Sequence, residues 1–524
     1  MRKKFNDTGL CISKRHYMVD ISNKIEQITR LVEDGEYFTI NRPRQYGKTT
    51  ILSVLAKELN RSDDYLALKI SFEAIDTETH LNNESFIHEF LMLLHSRFEI
   101  ENLPELAQTI ENNLKIIKIF PDLSRFITQL ALNTDKHLVL LIDEVDKSSN
   151  NQLFLDFLAM LRNKYLQRDE DRDHTFHSII LAGVHDVKTL KTKIRPDDIR
   201  KYNSPWNIAI DFTVDLSFNP DEISTMITGY SQDKQIKPDI PAISSKLFYY
   251  TSGYPYLVSK LCKFIDEQII QSRKDKNWSV SDVDQAFKII CNEAYSTTLF
   301  DSMNKNLENN KDLYDLVFDI VVNGRTIPLN IAVPVIYMGV LYGIFRNSSQ
   351  GCKIHNRIFE QRIYHYMITK SMISKPENPM LSLPDYYTEN DLDVKLILER
   401  FQIFMKEHSS NKDEKFLERE GRLLFLSFLR PIINSKGFEF KEPNVGDERR
   451  MDIVITYKDR RYVIELKRWY GQKAHEKGLQ QLSDYLDMYS LNRGFLLIYD
   501  FNKNKKYKQE EINFQDKQIF AVWV

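Results

Sequence analysis

Three short apolar runs, Tyr37–Ile40 (YFTI), His137–Ile142 (HLVLLI) and Ser178–Ala182 (SIILA), constrain what this chain can fold into more than any other feature. None keeps the apolar/polar alternation of a half-exposed strand. His137–Ile142, continuously apolar, reads as a strand buried on both faces, which happens in a parallel sheet covered by helices on its two sides, and the other two read as further strands. An α/β architecture is therefore expected, with a helix after each strand. The first run continues distinctively: Asn41-Arg42-Pro43-Arg44-Gln45-Tyr46-Gly47-Lys48-Thr49-Thr50 leads into a helical stretch, Ile51 to Leu59.

A strand, a loop ending in Gly-Lys-Thr and a helix form the context of a phosphate-binding P-loop. Backbone N–H groups of the loop and the helix N-terminus would cradle phosphates, Lys48 would reach the β- and γ-phosphates, and the Thr49 hydroxyl would coordinate Mg2+. Arg42 stands where the pattern G-x-x-x-x-G-K-[ST] has its first glycine, a departure that concerns loop geometry and not the lysine's chemistry. The second run ends in Asp143-Glu144. Asp143 would hold the Mg2+ shell and Glu144 would polarise the attacking water. The nucleotide-binding set is then Arg44, Gly47, Lys48, Thr49, Thr50 and Asp143, with Glu144 catalytic. The third run continues into His185 and Asp186, which read as loop caps, and Arg195 and Arg200 read as solvated charges and not as an arginine finger.

Farther on come SPWNIAIDF (Ser204 to Phe212) and TSGYPYLVSKLC (Thr251 to Cys262). With the RPRQYGK loop, these segments resemble STAND-type ATPases, whose lid carries a Gly-x-Pro segment like Gly253-Tyr254-Pro255, and the wider AAA-like group. The resemblance covers roughly Tyr17 to Ile290 and implies an additional-strand P-loop ATPase with a helical lid. After a helical stretch at Ser279 to Ala294, Gly and Ser punctuation between Ile344 and Lys353 suggests the hairpin wing of a winged-helix module. In STAND-type ATPases such a module follows the lid and reports nucleotide state. His355, beside Asn356 and Arg357, reads as a surface polar residue.

A second constellation lies near the C-terminus. In RMDIVITYKDRRYVIELKRW, the runs Ile453–Tyr457 and Tyr462–Leu466 flank the polar turn Lys458-Asp459-Arg460, the pattern of a β-hairpin. Asp452 opens one strand and Glu465 closes the other. Side chains two apart on a strand share a face, so Glu465 and Lys467 project together while Ile464 and Leu466 enter the opposite layer. Two carboxylates can hold a hard cation such as Mg2+, and a lysine beside them can orient the nucleophile or stabilise charge on phosphorus. The next stretch, GLQQLSDYLDMY, reads as a helix with Gln481 and Tyr485 one turn apart. This D…ExK…QxxxY order resembles the PD-(D/E)XK nuclease superfamily, in its RecB-like branch, over roughly Asp413 to Val524. An acidic residue on the first helix often completes such sites. Glu418 and Glu420 are the candidates, Glu420 favoured by position because it points into an apolar stripe.

At 524 residues the chain is too long for one hydrophobic core, and its 42% hydrophobic and 28% charged residues are those of a globular protein. A net charge of −2 excludes a strongly basic nucleic-acid binder, yet Arg449, Arg450, Arg460, Arg461, Lys467 and Arg468 crowd the hairpin, and Lys503, Lys505, Lys506 and Lys508 follow later. No apolar run reaches transmembrane length, no signal peptide opens the chain, and Cys11, Cys262, Cys291 and Cys352 are scattered like reduced thiols, all pointing to a cytoplasmic protein with no membrane partner.

The expected organisation is a multidomain α/β chain. It comprises a P-loop ATPase core (1–212), a helical lid (213–300), a winged-helix-like module (301–370), a linker and connecting helix (371–410), and a restriction-endonuclease-like α/β domain (411–524). The function these readings imply is ATP-controlled, Mg2+-dependent cleavage of nucleic acid, DNA ahead of RNA, endo- or exonucleolytic. Mn2+ could replace Mg2+ at the cleavage site, and a homo-oligomer or an activating partner is left open. Defence against foreign DNA is what the family resemblance adds. The alternative is a nucleotide-dependent signalling or DNA-binding scaffold whose C-terminal domain does not cleave. A translocase is disfavoured by the lack of helicase motifs after Asp143-Glu144.

Overall fold

The computed structural model describes residues 3–73, 82–147, 152–184, 206–292, 295–321, 327–346, 351–374, 386, 391–408, 425, 428–429, 432, 439–441, 452–457, 460–488, 490–500, 502 and 505–524. The chain divides into two compact units: residues 1–313 with 328–362, and residues 314–327 with 363–524.

In the first unit, helix α1 (Ser22–Glu33) precedes β1 (Tyr37–Asn41), α2 (Lys48–Leu59) and β2 (Tyr65–Ser71). Then come α3 (Asn83–Ile100), α4 (Pro104–Asn113), α5 (Phe120–Leu132), β3 (His137–Asp143), α6 (Gln152–Asp169) and β4 (Ser178–Gly183). The strands form a sheet ordered β1-β4-β3-β2, parallel throughout, and Ile210 adds a parallel bridge to Phe38 on the outer side of β1. The strand β4, third of the apolar runs, thus lies between the strand that feeds the Gly-Lys-Thr loop and the strand that ends in Asp143. All six residues of β4 and six of the seven in β3 are buried. Tyr37, Leu68, Leu140, Ile142, Ile179 and Leu181 enter one core with Phe86, Phe90, Phe126, Phe157 and Leu161 of the helices. The intervening residues, Phe38, Ile40, Val139, Leu141 and Ile180, are equally buried on the other face, as unbroken apolar runs require.

A helical layer comes next: α7 (Pro220–Lys234), α8 (Ile240–Thr251), α9 (Pro255–Phe264), α10 (Val280–Cys291) and α11 (Thr298–Glu308); α12 (Lys311–Val321) belongs from Tyr314 on to the second unit, and α13 (Pro334–Leu341) to the first. The boxes that start α7 and α10 are sequence-local: Asn219 and Glu222, then Ser279 and Asp282, each exchange bonds with backbone N–H groups that the helix leaves unpaired. A two-stranded hairpin, β5 (Phe345–Arg346) with β6 (Lys353–Ile354), leads into α14 (Arg357–Ser374), which carries the chain into the second unit.

In that unit, α15 (Val394–His408) packs on one face of a six-stranded mixed sheet and α16 (Gln472–Met488) on the other. The strands β7 (Glu439–Lys441), β8 (Asp452–Tyr457), β9 (Arg460–Arg468), β10 (Arg493–Tyr499), β11 (Gln509–Phe514) and β12 (Lys517–Trp523) are ordered β11-β12-β10-β9-β8-β7. The hairpin pairs are antiparallel, whereas β10 lies parallel to both β9 and β12. Residues of β9 alternate as expected: Ile464 and Leu466 join the layer of α15, and Val463 joins the layer of α16. Within the stretch read as a linker, α14 runs to Ser374 and both Tyr386 and Leu392 are buried in the core of this unit.

Candidate functional site

The Gly-Lys-Thr helix begins at Lys48, three residues before the expected Ile51, because Gly47 at φ 85° caps it in the left-handed region. Gln45, at φ 56°, supplies a second left-handed turn. Arg42 is absent from the positive-φ positions, so nothing in its backbone calls for the glycine of the consensus pattern. Its side chain leaves the loop and turns to the sheet edge, where it donates to the carbonyls of Asn41 (2.9 Å) and Val214 (2.8 Å) and stacks over Phe212 at 5.2 Å. Burial lowers its pKa from the usual arginine value. The loop therefore keeps its geometry by anchoring an arginine behind it.

Lys48 is 7% exposed and donates to the carbonyls of Arg42 (2.8 Å) and Pro43 (2.9 Å). Burial pushes its pKa down, opposed by the carboxylates of Asp146, Glu144 and Asp143. Asp143 is 2% exposed at the end of β3; its Oδ1 accepts from the Glu144 N–H at 3.1 Å and its Oδ2 lies 3.9 Å from Lys69 Nζ. Glu144 sits in the left-handed region at φ 56°, a conformation that costs a non-glycine residue about 1 kcal/mol. Burial raises its pKa and Lys48 opposes the shift, which suits a carboxyl group able to exchange a proton with water. Thr49 and Thr50 are half-buried in the first turn of α2, and Thr50 Oγ1 accepts from the Cys11 N–H at 3.2 Å. Arg44 is exposed.

The Gly253-Tyr254-Pro255 segment closes over this loop. A Cβ on Gly253 (φ 73°) would lie 2.0 Å from the Phe218 carbonyl oxygen, and Pro255 starts α9 at the one end where its missing N–H is harmless. Tyr254 donates its hydroxyl to the Arg44 carbonyl, and its ring meets Tyr46 edge-on at 4.7 Å. Here His355 departs from expectation. It is 8% exposed, not a surface residue, and its Nε2 lies 3.1 Å from the Tyr46 hydroxyl with its ring against Tyr254 and Phe359. Burial, helped by Arg346 and opposed by Asp215, takes its pKa down to about 4.

Beside Gly47 and Thr50 opens a cavity of about 140 Å³. Its walls are loop residues Gln45 and Tyr46, lid residues Pro255 and Tyr256, and the N-terminal segment around Asp7, Cys11 and Val19. That segment is held to α9 by Asp7, which pairs with Lys260 (2.6 Å) and Lys263 (2.7 Å) and whose pKa is lowered by those two bonds against the opposing effect of burial.

In the second unit, the antiparallel register sets Asp452 directly opposite Glu465, and positions paired in this way share a face of the sheet. Glu465 does not close its strand, which continues to Arg468. It is 2% exposed; its Oε1 meets Lys467 Nζ at 2.7 Å, and its Oε2 is buried without a hydrogen-bond partner. Lys467 lies under α16, where a Cβ on Gly478 would come 3.3 Å from its Cγ. Gln481 is half-buried one turn beyond Gly478, and Tyr485 packs partly buried against the apolar layer of α16. Glu418, Glu420, His185, Asp186, Arg195, Arg200, Arg449 and Arg450 lie outside the described residues. Among the described residues, no three His, Cys, Asp or Glu side chains gather as a metal cluster, and no helix is long and apolar enough to cross a membrane. The Oε2 of Glu465 is thus a buried acceptor without a hydrogen-bond donor, an arrangement that costs free energy.

The sequence matches the AAA-like domain family over residues 11–361. The chain belongs to that family. Its AAA-like region is a P-loop ATPase fold, with the parallel sheet and buried Lys48 and Asp143 described above. No curated protein matches the chain. Among solved structures it is similar to the Walker-type ATPase PABY2304 of Pyrococcus abyssi (11% identity, 69% of this chain and 98% of that one, TM-score 0.45). It is also similar to the ORC2 protein of Aeropyrum pernix in its ADPNP–ADP complexes (11%, 70% and 98%, 0.40). A third is the RuvB Holliday junction branch migration motor of Thermotoga maritima (12%, 64% and 92%, 0.31).

Three features of the AAA-like region escape a motif-based reading. Asp146, three residues past Asp143, accepts from the Val184 N–H at 2.6 Å and is the foremost of the carboxylates acting on Lys48; its spacing, Asp-Glu-Val-Asp, was the available signal. The N-terminal wall of the cavity carries no motif, only the apolar stripe of Ile25, Ile28 and Val32 in the helix after it. The burial of His355 against Tyr46 spans 309 positions and has no local signature.

Proposed function

We propose that the AAA-like unit binds and hydrolyses ATP, and that it controls a metal-dependent nuclease in the C-terminal unit. Lys48 would meet the β- and γ-phosphates, with the backbone from Arg44 to Thr50 around them. Thr49 and Asp143 would hold Mg2+, and Glu144 would orient the attacking water. The nucleoside would lie toward the cavity beside Gly47. The segment around β5 and β6, read as a winged-helix module, touches the loop through His355 and Tyr46, a route by which nucleotide occupancy could reach the rest of the chain.

One observation carries the nuclease half: the buried, partnerless Oε2 of Glu465, on a carboxylate bonded to Lys467 and in register with Asp452. Asp452 and Glu465 would hold Mg2+ or Mn2+. A divalent cation there supplies Lewis acidity toward a phosphodiester and lowers the pKa of a water. Lys467 would orient the nucleophile and offset charge on phosphorus, and Gln481 and Tyr485 would position the lysine strand from α16. The strand β9, the helix α16 and the parallel strand β10 come in the order of the restriction-endonuclease-like fold. The substrate is nucleic acid, DNA first, and a role in defence against foreign DNA is what the family resemblance implies.

The test incubates the full chain with supercoiled, linear and single-stranded DNA and with RNA, plus Mg2+ or Mn2+, with and without ATP, beside Lys467→Ala, Asp452→Ala and Lys48→Ala. Cleavage abolished by Lys467→Ala and Asp452→Ala, and altered by Lys48→Ala, is expected. Cleavage that survives Lys467→Ala sinks the nuclease reading; cleavage indifferent to ATP and to Lys48→Ala sinks the control.

A further inference from the structure

The strand β9 ends at Arg468, and after three connecting residues α16 begins at Gln472. The connecting residues Trp469, Tyr470 and Gly471 are held in place. The Trp469 N–H donates to the Tyr499 carbonyl at 2.8 Å, and the Trp469 ring packs against His475 (5.6 Å) and Trp523 (6.3 Å). Between these anchors Tyr470 points outward at 69% exposure, the highest of any large hydrophobic side chain among the described residues. The Arg468 guanidinium lies over the ring at 5.1 Å. A fixed segment that holds an aromatic face open to solvent beside a cation has the geometry on which a base can stack.

Its place relative to Lys467 decides which ligand. Tyr470 follows Lys467 by three positions, a backbone span of at most about 10 Å at roughly 3.3 Å per residue. On one strand of nucleic acid, with about 3.4 Å between nucleotides, that is the distance from a scissile phosphate to a base within about three positions. Exposed Lys473 and Lys477 in the first turns of α16 add positive charge near Tyr470, of the kind a phosphate backbone requires. Bases inside a duplex cover one another's faces, so a protruding tyrosine can stack only on an unpaired base.

We propose that Tyr470, backed by Arg468, is a stacking platform for an unpaired nucleobase beside the Glu465–Lys467 centre, which makes single-stranded nucleic acid, or the frayed end of a duplex, the substrate class of the C-terminal unit. The inference rests on the nuclease reading of that centre and deepens it. Tyr470 is exposed enough that its replacement leaves the core untouched.

The test measures fluorescence anisotropy of the full chain with a labelled single-stranded oligonucleotide of about 16 nucleotides and with a blunt hairpin duplex, in chelator so that no cleavage occurs. Tyr470→Ala is expected to weaken single-strand binding about tenfold, to leave duplex binding within about twofold, and to be rescued by Tyr470→Trp. Equal weakening on both substrates, no weakening on either, or no single-strand binding by the parent chain overturns the platform. A Lys467→Ala variant assayed in parallel separates the two claims. Undiminished cleavage by that variant removes the nuclease reading, whereas anisotropy still decides the stack.

Discussion

His355 offers a pH-dependent handle on the Gly-Lys-Thr loop. Its imidazole is buried against Tyr46 and Tyr254, and its pKa is near 4, against an ordinary 6.5. The shift comes from desolvation first and from Arg346 second, with Asp215 opposing. Because the folded value lies below the unfolded one, the folded chain binds fewer protons between the two, and stability falls as pH falls through that window. The difference amounts to about 2 kcal/mol between about pH 7 and about pH 5, and about 3 kcal/mol once both values are passed, at 1.36 kcal/mol per unit. A His355→Gln variant keeps a hydrogen-bonding group of similar reach for the Tyr46 hydroxyl but cannot titrate. Urea denaturation at a series of pH values, tracked by tryptophan fluorescence, gives the unfolding curve of each protein, to which Trp469 and Trp523 of the second unit contribute equally in both. The other histidines contribute equally to both, so the difference between the curves reports His355. The parent chain is expected to lose about 2 kcal/mol more than the variant between about pH 7 and about pH 5. Parallel curves would refute the burial of a neutral imidazole on the loop, and a steeper curve for the variant would reverse the sign of the reasoning.

Two other substitutions probe how the loop is held. Arg42→Gly restores the consensus P-loop glycine, yet it removes two hydrogen bonds of a half-buried guanidinium and its stack on Phe212, so the thermal midpoint should fall and nucleotide affinity, read by fluorescent-nucleotide titration, should weaken and not improve. A destabilisation of about 2 to 3 kcal/mol is expected, and unchanged stability would show that the anchor contributes nothing. Gly253→Ala sets a Cβ 2.0 Å from the Phe218 carbonyl oxygen at a φ of 73°, which forces the lid segment away from Phe218 and strains the Phe218 N–H to Gly253 carbonyl bond. A cost of about 3 kcal/mol by calorimetry, with weaker ATP binding, is the expected result.

Much of this arrangement was legible in the sequence. The unbroken apolar run His137–Ile142 announced a strand buried on both faces and the other two runs further strands, and β1, β3 and β4 are those strands, parallel and covered. The helical stretch expected from Ser279 is α10, and the alternation of Val463, Ile464, Glu465 and Leu466 put carboxylate and lysine on the face of α16. The strand and helix limits were less readable: α2 starts at its glycine cap, and β9 runs on past Glu465. Propensity fixes the type of an element better than its end, which depends on the cap or neighbour it meets.

What the sequence alone determined are the properties carried by a few adjacent residues: the periodicity of each strand and helix, the Gly-Lys-Thr turn, and the residue types Asp452, Glu465 and Lys467 in order along the chain. Tertiary structure decided which groups lose water and which partners they keep. It sent Arg42 behind the loop to Val214 and brought His355 onto Tyr46 from 309 positions away. It also buried one oxygen of Glu465 with no partner. Local pattern sets where a side chain points, but desolvation and hydrogen bonding are set by whatever distant segment arrives to cover it, and on those the chemistry of both sites depends.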